Sequence, residues 1–361
     1  MTTTGAIADQ VFRAIGVSGG GGQSHYVALS GSGEVRWLLP AEPSPLSCIL
    51  ESWQPYRFTS RLGWLGVRAA SHMNWLTALP GVTPVDAFPF ESCDWREIGW
   101  RWGEAPVAAI HVGTPGPRRK AVVFLLERET GCCRAVVKVA LTDEAAAAVM
   151  READVLRTLE EERYNFAPRL LHADPRRGIA TMAFVDGRPA QRQMGAETWR
   201  LLRSLLRSEA TTSLRTHVEQ WERGLGTPEL PEFMRKAMDD LQDDTPLPSC
   251  WEHGDFTPWN IRQNGDACTL LDWEFAQSNG LPLMDAFHFL HMQDLLFGPR
   301  PRRHTLRLIE GAASMGIQSR MVDKLETAYL LRAWLTSTRD ENAARTDFVR
   351  STLELPGSEE A

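Results

Sequence analysis

The segment Trp251–Ala276 reads WEHGDFTPWNIRQNGDACTLLDWEFA, and it holds polar groups in a distinctive order. The triplet His253–Asp255 comes first, Asn260 follows after four intervening residues, and Asp272 lies in a later apolar run. Phosphoryl transfer requires a carboxylate that accepts the proton of the attacking hydroxyl, oxygen ligands for Mg²⁺, and a backbone that keeps them aligned. Asp255 fits the first requirement, and Asn260 and Asp272 fit the second, at the spacing found in kinases.

A β-hairpin is predicted between the two candidate metal ligands. The dipeptide Asn264–Gly265 separates Ile261–Gln263 from the apolar run Thr269–Leu271, and Asn-Gly is a strong signal for a type I′ turn. Such a hairpin would hold Asn260 and Asp272 side by side at its open end. Each residue alone is typical of an ordinary turn or cap, and the ordered set around a hairpin favours a catalytic function.

The motifs HGDFTPWN and LLDWEFA resemble those of the aminoglycoside phosphotransferase and choline kinase family. That family carries HGD where protein kinases have HRD, and DWE or a similar triplet in place of DFG. Thr257 stands where a protein serine/threonine kinase usually has lysine, and Glu274 replaces the DFG glycine. The resemblance covers residues 97–345 and implies a two-lobed, protein-kinase-like fold of the α+β class.

The resemblance also implies roles for residues around the catalytic loop. His253 is expected to anchor the loop through hydrogen bonds. Asp285 lies in a Pro-Leu-x-Asp segment like that of the family, where the aspartate braces the loop and does not react. His288 and His291 lie three residues apart on the following helix, which also fits a metal pair, although two packed histidines are the favoured interpretation.

Lys138 is the candidate ligand for the nucleotide phosphates. It lies on a predicted strand that precedes a predicted helix with Thr142 as its N-cap. On that helix Glu152 interrupts an apolar face, where a carboxylate requires a cationic partner. Lys138 is the obvious partner, with Glu144 as the alternative partner of Lys138 if the helix is rotated. A strand lysine paired with a helix glutamate positions the α- and β-phosphates in kinases.

Strands are predicted over residues 107–112, 121–126, 133–140, 168–171 and 178–184. The loop 113–120 lies where a kinase-like fold covers the nucleotide phosphates, but its two prolines remove amide donors, so a phosphate contact there stays open. The resemblance implies that main-chain groups of Ala183 and Val185 face the adenine of ATP, just before the break at Asp186–Pro189 that links the lobes.

Residues 1–96 lie outside the resemblance and are rich in tryptophan. Such residues can form a surface that stacks sugars or docks a partner, and the alternative is a small domain with a tryptophan core. The expected organisation is an additional N-terminal α+β accessory domain (1–96), a β-rich N-lobe (97–186) and a helical C-lobe (187–361).

Composition excludes several classes of partner. The formal net charge of −7 argues against nucleic acid or an anionic membrane. Six cysteines without a C-x-x-C pair favour reduced thiols in a cytoplasmic protein. No basic n-region of a signal peptide and no apolar run of transmembrane length are found in the sequence.

Together these features predict an ATP-dependent phosphotransferase with ATP and Mg²⁺ as cofactors. The expected acceptor is a hydroxyl of a small molecule or glycan, such as an aminoglycoside, an amino alcohol or a sugar. The tryptophan-rich N-terminal region slightly favours a sugar-containing acceptor. One alternative is a non-catalytic nucleotide-binding scaffold, favoured by the proline-containing loop and opposed by the intact catalytic set. The other is a protein kinase, opposed by Thr257 and by the lack of an A-P-E segment.

Overall fold

The computed structural model describes residues 3–16, 24–31, 34–41, 46–53, 58–73, 75–87, 94–225, 231–298, 304–339 and 343–354. The chain divides into two compact units, Met1–Arg188 with Arg262–Asn264, and Pro189–Ile261 with Gly265–Ala361. The division after Arg188 lies close to the boundary expected after residue 186.

The first unit is built on an eight-stranded antiparallel sheet in the order β3-β1-β2-β4-β5-β6-β8-β7. Its strands are β1 (Ser24–Gly31), β2 (Glu34–Pro40), β3 (Val82–Ala87), β4 (Val107–Val112), β5 (Lys120–Leu126), β6 (Cys133–Ala140), β7 (Leu170–Asp174) and β8 (Ile179–Ala183). Its helices are α1 (Thr3–Ala14), α2 (Ser47–Ser52), α3 (Phe58–His72) and α4 (Asp143–Glu161). The five strands predicted from residue 107 onward are confirmed, with β7 shifted toward its carboxyl end.

Alternate residues of the central strands point to opposite faces of the sheet, and each face carries an apolar core. On one face Val123 and Leu125 of β5 pack in a cluster that includes Phe12 of α1. On the other face Phe124 packs against a cluster that includes Trp64 of α3. Both faces are therefore buried partly by helices that precede residue 96.

The structure differs from the expected separate domain of residues 1–96. Strand β2 pairs with β4 through the register Trp37↔His111 and Leu38↔Ile110, so β1, β2 and β3 extend the sheet of the expected N-lobe. Without β2, strand β4 would present an edge of unpaired N–H and C=O groups. The contact between these strands makes residues 1–188 one compact unit.

Most tryptophans of this region are core residues, which was the alternative to an aromatic surface. Three are at most 7% exposed: Trp37, Trp64 and Trp95. The ring centroids of Trp37 and Trp53 lie 5.1 Å apart at an interplanar angle of 80°. This is the edge-to-face arrangement that aromatic pairs prefer. Among the described tryptophans of this region, Trp75 is the exposed one, at 62%.

The second unit is mainly helical. Its helices are α5 (Ala196–Ser204), α6 (Leu214–Leu225), α7 (Glu232–Asp240), α8 (Met284–Phe297), α9 (His304–Ser314), α10 (Ser319–Arg339) and α11 (Ala343–Glu354). The remaining strands of the chain are β9 (Arg188–Pro189), β10 (Leu206–Thr212), β11 (Leu247–Glu252), β12 (Ile261–Asn264), β13 (Ala267–Leu270) and β14 (Gln277–Gly280), of which β9 and β12 contain residues of both units. They form two three-stranded sheets in the orders β10-β11-β14 and β13-β12-β9. A β-rich unit followed by a helical unit confirms the α+β class.

No helix in the described part of the chain combines the length and the apolar composition that a membrane span requires.

Candidate active site

The candidate catalytic loop, residues 253–260, follows β11. A buried aspartate of α8 binds it through hydrogen bonds. Asp285, in the first turn of α8, accepts the backbone N–H of His253 at 2.7 Å and that of Gly254 at 3.0 Å. Asp285 is 4% exposed, and burial together with the neighbouring Glu252 raises its pKa to about 7. The structure thus brings Asp285 to the loop that it was expected to brace.

A second buried carboxylate supports the loop from the strand side. Glu252, the last residue of β11, is 2% exposed and forms an ion pair with Arg332 of α10. Its Oε2 also accepts a hydrogen bond from Gln277 Nε2 at 2.7 Å. The buried charge therefore has both a cationic partner and a hydrogen-bond donor, as burial requires.

His253 links the loop to the end of the hairpin. Its Nε2 donates to the Leu271 carbonyl at 2.9 Å, and its Nδ1 accepts the backbone N–H of Asp255 at 3.3 Å. These two contacts assign the neutral Nε2–H tautomer. Burial lowers the pKa of His253, which agrees with a neutral ring that holds the loop.

The Asp255 carboxylate is held at both oxygens. Oδ1 accepts a hydrogen bond from His288 Nε2 at 3.1 Å, and Oδ2 accepts one from Asn260 Nδ2 at 2.8 Å. Burial acts to raise the pKa of Asp255, whereas the hydrogen bond from His288 acts to lower it, and the net pKa is lowered. The side chain remains 31% exposed, so a reactant can still reach it. An ionised, oriented and accessible carboxylate is suited to accept a proton.

The predicted hairpin is confirmed as β12 and β13. The Leu271 N–H donates to the Asn260 carbonyl at 2.7 Å, which brings Asn260 and Asp272 together at the open end. The turn differs from the predicted type I′ turn, because the two turn residues are Gly265 and Asp266 and only Gly265 has positive φ, at 59°. Glycine at the first turn position is the signature of a type II′ turn.

The open end of the hairpin has the donor set that Mg²⁺ prefers. Asn260 Nδ2 donates to the carbonyl and to the carboxylate of Asp255, so Oδ1 is the side-chain atom of Asn260 that could bind a metal ion. Asp272 has left-handed backbone angles, φ 70° and ψ 62°, of the kind that non-glycine residues adopt mainly at functional sites. In the described part of the chain, no group of three or more His, Cys, Asp or Glu residues is arranged to hold a metal ion. Two protein oxygens completed by water and phosphates fit Mg²⁺.

The first unit contains the predicted lysine–glutamate pair. Lys138 Nζ lies 2.6 Å from Glu152 Oε1, and the two residues are 8% and 0% exposed. The N-cap prediction is confirmed, since Thr142 Oγ1 accepts the Ala145 N–H at 3.1 Å. Glu144, the alternative partner, pairs with Arg118 at 2.8 Å.

The segment predicted to face adenine has one free main-chain donor. The N–H of Ala183 donates to Arg169 and that of Phe184 to Arg134, each at 2.9 Å. The N–H of Val185 makes no hydrogen bond to any described residue. This alternation leaves the Val185 N–H available to a ligand.

His288 is the site residue that the sequence did not identify. His288 bonds to Asp255, whereas His291 Nε2 bonds to Glu326 Oε1 at 2.7 Å, so the two histidines do not converge on a metal. Helical spacing contained a signal, because His288 lies one turn after Asp285 and therefore on the same side of α8. An aspartate that contacts the loop places the residue one turn later near the loop as well.

Comparison with known proteins places these residues in a family. The family model described as "Phosphotransferase enzyme family" matches residues 117–315, which is more than half of the chain. Similar solved structures include the macrolide 2′-phosphotransferase MphH from Brachybacterium faecium, with 16% identity, 70% of this chain and 93% of that chain covered, and a TM-score of 0.47. A choline kinase from Cryptosporidium parvum has 13% identity, coverage of 72% and 89%, and a TM-score of 0.46.

A choline/ethanolamine kinase family protein from Mesorhizobium loti has 18% identity, coverage of 68% and 88%, and a TM-score of 0.36. A search of curated protein sequences gave no match. The matched range contains the Lys138–Glu152 pair, the catalytic loop, the hairpin and Asp285, so the motif-based resemblance is confirmed. With its β-rich unit and its helical unit, the chain belongs to the phosphotransferase enzyme family.

Proposed function

We propose that the chain transfers the γ-phosphate of ATP to a hydroxyl group of a small molecule or glycan. The observation that carries this proposal is the Asp255 carboxylate, which is oriented at both oxygens by His288 and Asn260 and is still accessible. A carboxylate that served only as a turn residue would not need two such side-chain donors.

In the proposed reaction the acceptor oxygen forms a bond to the γ-phosphorus while the bond from that phosphorus to the β,γ-bridging oxygen breaks, and ADP leaves. Asp255 receives the proton of the acceptor hydroxyl. A positioned general base accelerates such a step about 10²- to 10⁴-fold. The hydrogen bonds to Asp255 fix its orientation before the acceptor arrives, so less entropy is lost in reaching the reactive geometry.

Asn260, through Oδ1, and Asp272, through its carboxylate, are the residues that would hold Mg²⁺. The ion, when bound, neutralises charge on the β- and γ-phosphates. Asn260 is prepared for this role because its amide nitrogen is engaged by Asp255. The backbone bond from Leu271 to Asn260 keeps the second ligand next to the first.

The first unit supplies the proposed contacts to the rest of the nucleotide. Lys138, kept in place by Glu152, would hold the α- and β-phosphates. The Val185 N–H and the Ala183 carbonyl would meet the purine edge. Arg118 and Arg119 of the loop 113–120 form ion pairs with Glu144 and Glu34, so we assign the phosphate contact to Lys138 and not to that loop.

The proposed acceptor carries a hydroxyl, as aminoglycosides, amino alcohols and sugars do. The leaning toward a sugar rested on an aromatic surface in the N-terminal region. Because most of those tryptophans are buried, that support is lost and the three acceptor classes stand equal.

The same residues bear on two alternative functions, a non-catalytic scaffold and a protein kinase. A non-catalytic scaffold would not require Asp255 to be oriented and accessible at once. A protein kinase would be expected to carry a lysine at position 257, whereas Thr257 is fully buried here.

The test is Mg²⁺-dependent ATP turnover across aminoglycosides, amino alcohols, sugars and a peptide, with Asp255→Asn beside the wild type. We expect phosphate on one small-molecule acceptor and a loss of at least about 100-fold in kcat in the variant. The matched control is Asp266→Asn in the exposed hairpin turn, which should retain wild-type turnover. Nucleotide binding without any phosphorylated acceptor would support the scaffold, and phosphate on the peptide would support a protein kinase.

A further inference from the structure

A chain of three side chains ends at the Asp255 carboxylate. Tyr329 of α10 lies with its hydroxyl 3.4 Å from His288 Nδ1, and His288 Nε2 lies 3.1 Å from Asp255 Oδ1. Tyr329 is 3% exposed and His288 is 5% exposed, so both contacts are largely shielded from water. Shielded hydrogen bonds are stronger and better defined than those at a wet surface.

We propose that His288 is a positioning residue for the proposed phosphoryl transfer, with Tyr329 fixing its ring. This inference rests on the proposed function, since it assigns to His288 the task of orienting the base Asp255. His288 touches neither acceptor nor nucleotide in this proposal. It acts through the Asp255 carboxylate.

The geometry gives each ring nitrogen a separate task. The Asp255 carboxylate can only accept, so Nε2 carries the proton and donates to Oδ1, and Nδ1 of this tautomer accepts from the Tyr329 O–H. A histidine whose second nitrogen is engaged has a fixed tautomer and a fixed ring orientation, as in the supporting shells of metal sites.

Asn260 and His288 each donate a hydrogen bond to a different oxygen of the Asp255 carboxylate. Asn260 holds Oδ2 from the hairpin side and His288 holds Oδ1 from α8. With both oxygens engaged, rotation of the carboxyl group about its Cβ–Cγ bond would break two hydrogen bonds. The loss of His288 alone would leave one anchor and allow Asp255 to rotate away from the acceptor hydroxyl.

The position of Tyr329 is itself fixed by packing. Its ring stacks on His291, with centroids 5.3 Å apart and an angle of 13° between the planes, and it lies 6.2 Å from the Phe287 ring. Helices α8 and α10 therefore share the residues that set the Asp255 orientation. Removing the Tyr329 hydroxyl alone should loosen the His288 ring without disturbing this packing.

The kinetic test compares His288→Leu, His288→Gln and Tyr329→Phe with the wild type in Mg²⁺-dependent ATP turnover, with water as the acceptor until a better one is known. His288→Leu should lower kcat about 10- to 100-fold and leave KM for ATP within about twofold, the size expected for loss of a supporting contact. Gln places an N–H donor near the position of Nε2, so His288→Gln should recover most of that loss. Tyr329→Phe should lower kcat less than His288→Leu does, and the double variant should have the same kcat as His288→Leu alone.

His217→Leu is the matched control, because His217 is also a buried histidine, but its Nε2 lies 3.0 Å from Thr212 Oγ1 and it contacts neither Tyr329 nor Asp255. It should leave kcat within about twofold of the wild type. The proposal is overturned if His288→Leu keeps wild-type kcat, or if His288→Gln is as impaired as His288→Leu, since the ring would then act only by filling space.

A second measurement separates this proposal from the proposed function. The ¹⁵N spectrum of the histidine rings reports which nitrogen carries the proton, whether or not ATP turns over. We expect the Nε2–H tautomer for His288 and a change in its signal in Asp255→Ala. A wild type without turnover would refute the proposed function alone. An Nδ1–H tautomer, or a His288 signal unchanged in Asp255→Ala, would refute the positioning chain.

Discussion

Gly254 explains why the catalytic loop carries HGD where protein kinases carry HRD. Its φ is +82°, and a Cβ at this position would lie 2.8 Å from both the Cβ and the carbonyl oxygen of Phe275. A side chain would therefore meet strained backbone angles and a steric clash at the same time. The contact holds the loop tightly against the segment that follows Asp272.

Gly254→Ala should destabilise the protein by about 3 kcal/mol, because left-handed strain of about 1–2 kcal/mol adds to a clash of similar size. Gly265→Ala is the matched control, since Gly265 also has positive φ, at +59°, but a Cβ there would meet nothing within 4 Å. Gly265→Ala should lower the free energy of unfolding by about 1 kcal/mol, which is the backbone strain without a clash. Urea unfolding measures both, and equal losses would show that the contact with Phe275 is unimportant.

At the scale of elements, strand β6 and helix α4 are joined by the buried Lys138–Glu152 pair. Glu152→Gln keeps a hydrogen-bond acceptor but removes the negative charge that this glutamate places beside the buried ammonium, so it should cost about 3 kcal/mol of unfolding free energy. Glu144→Gln, which breaks the exposed pair with Arg118, should change it by less than about 1 kcal/mol. If Lys138→Met does not recover part of the unfolding free energy lost in Glu152→Gln, the charge of Lys138 is not the cause of that loss.

Strands β2 and β4 meet at a histidine whose pKa is lowered. Burial, and then the charge of Arg36, lower the pKa of His111 to about 4, and its ring packs 4.8 Å from that of Trp37. In the unfolded chain His111 gains its proton near pH 6.5, whereas the folded chain keeps it neutral to about pH 4. Stability is therefore complete above pH 6.5 and falls as the pH drops toward 4.

His111→Phe should remove this part of the pH dependence. We expect the wild type to lose about 2 kcal/mol more than the variant between pH 7 and pH 4.5, a value that allows for partial exposure of the ring. Urea unfolding at several pH values measures the difference, and carboxylates that titrate in both proteins cancel. The exposed His72 provides the control, and His72→Asn should leave the profile unchanged. Parallel profiles for the wild type and His111→Phe would contradict the argument.

Elements with local signals could be predicted, and those fixed by distant contacts could not. The hairpin between Asn260 and Asp272 was readable because Gly265 permits positive φ, although the turn is centred one residue later than predicted. The role of His288 was hidden because the start of α8 is buried on all sides, so its apolar period singles out no residue. Strand β10 pairs with β11 through Leu206 and Cys250, which lie more than 40 positions apart, so no local pattern predicts this pairing.

For the whole molecule, the largest departure from the sequence-based expectation is the integration of residues 1–96. The register Trp37↔His111 joins residues more than 70 positions apart, and local sequence patterns contain no information on such a pairing. Helix α1 adds a direct contact, because Gln10 Nε2 donates to the Leu141 carbonyl at 3.2 Å, in the turn between β6 and α4. The N-terminal segment thus supports the elements that carry Lys138 and Glu152.

A chain that begins at residue 97 should therefore fail to fold cooperatively, because β4 would lose its partner strand and both cores of the sheet would lose helices. Thermal unfolding and size-exclusion chromatography of the 97–361 chain measure this, and we expect aggregation or a broad transition. Co-expression of residues 1–96 as a separate chain is the control, since it restores the missing strands and helices and should restore a sharp transition. A 97–361 chain that unfolds as sharply as the full chain would mean that the N-terminal segment is an independent domain after all. Because the N-terminal residues pack against the sheet that presents Lys138, we expect nucleotide binding to be lost and regained together with the transition.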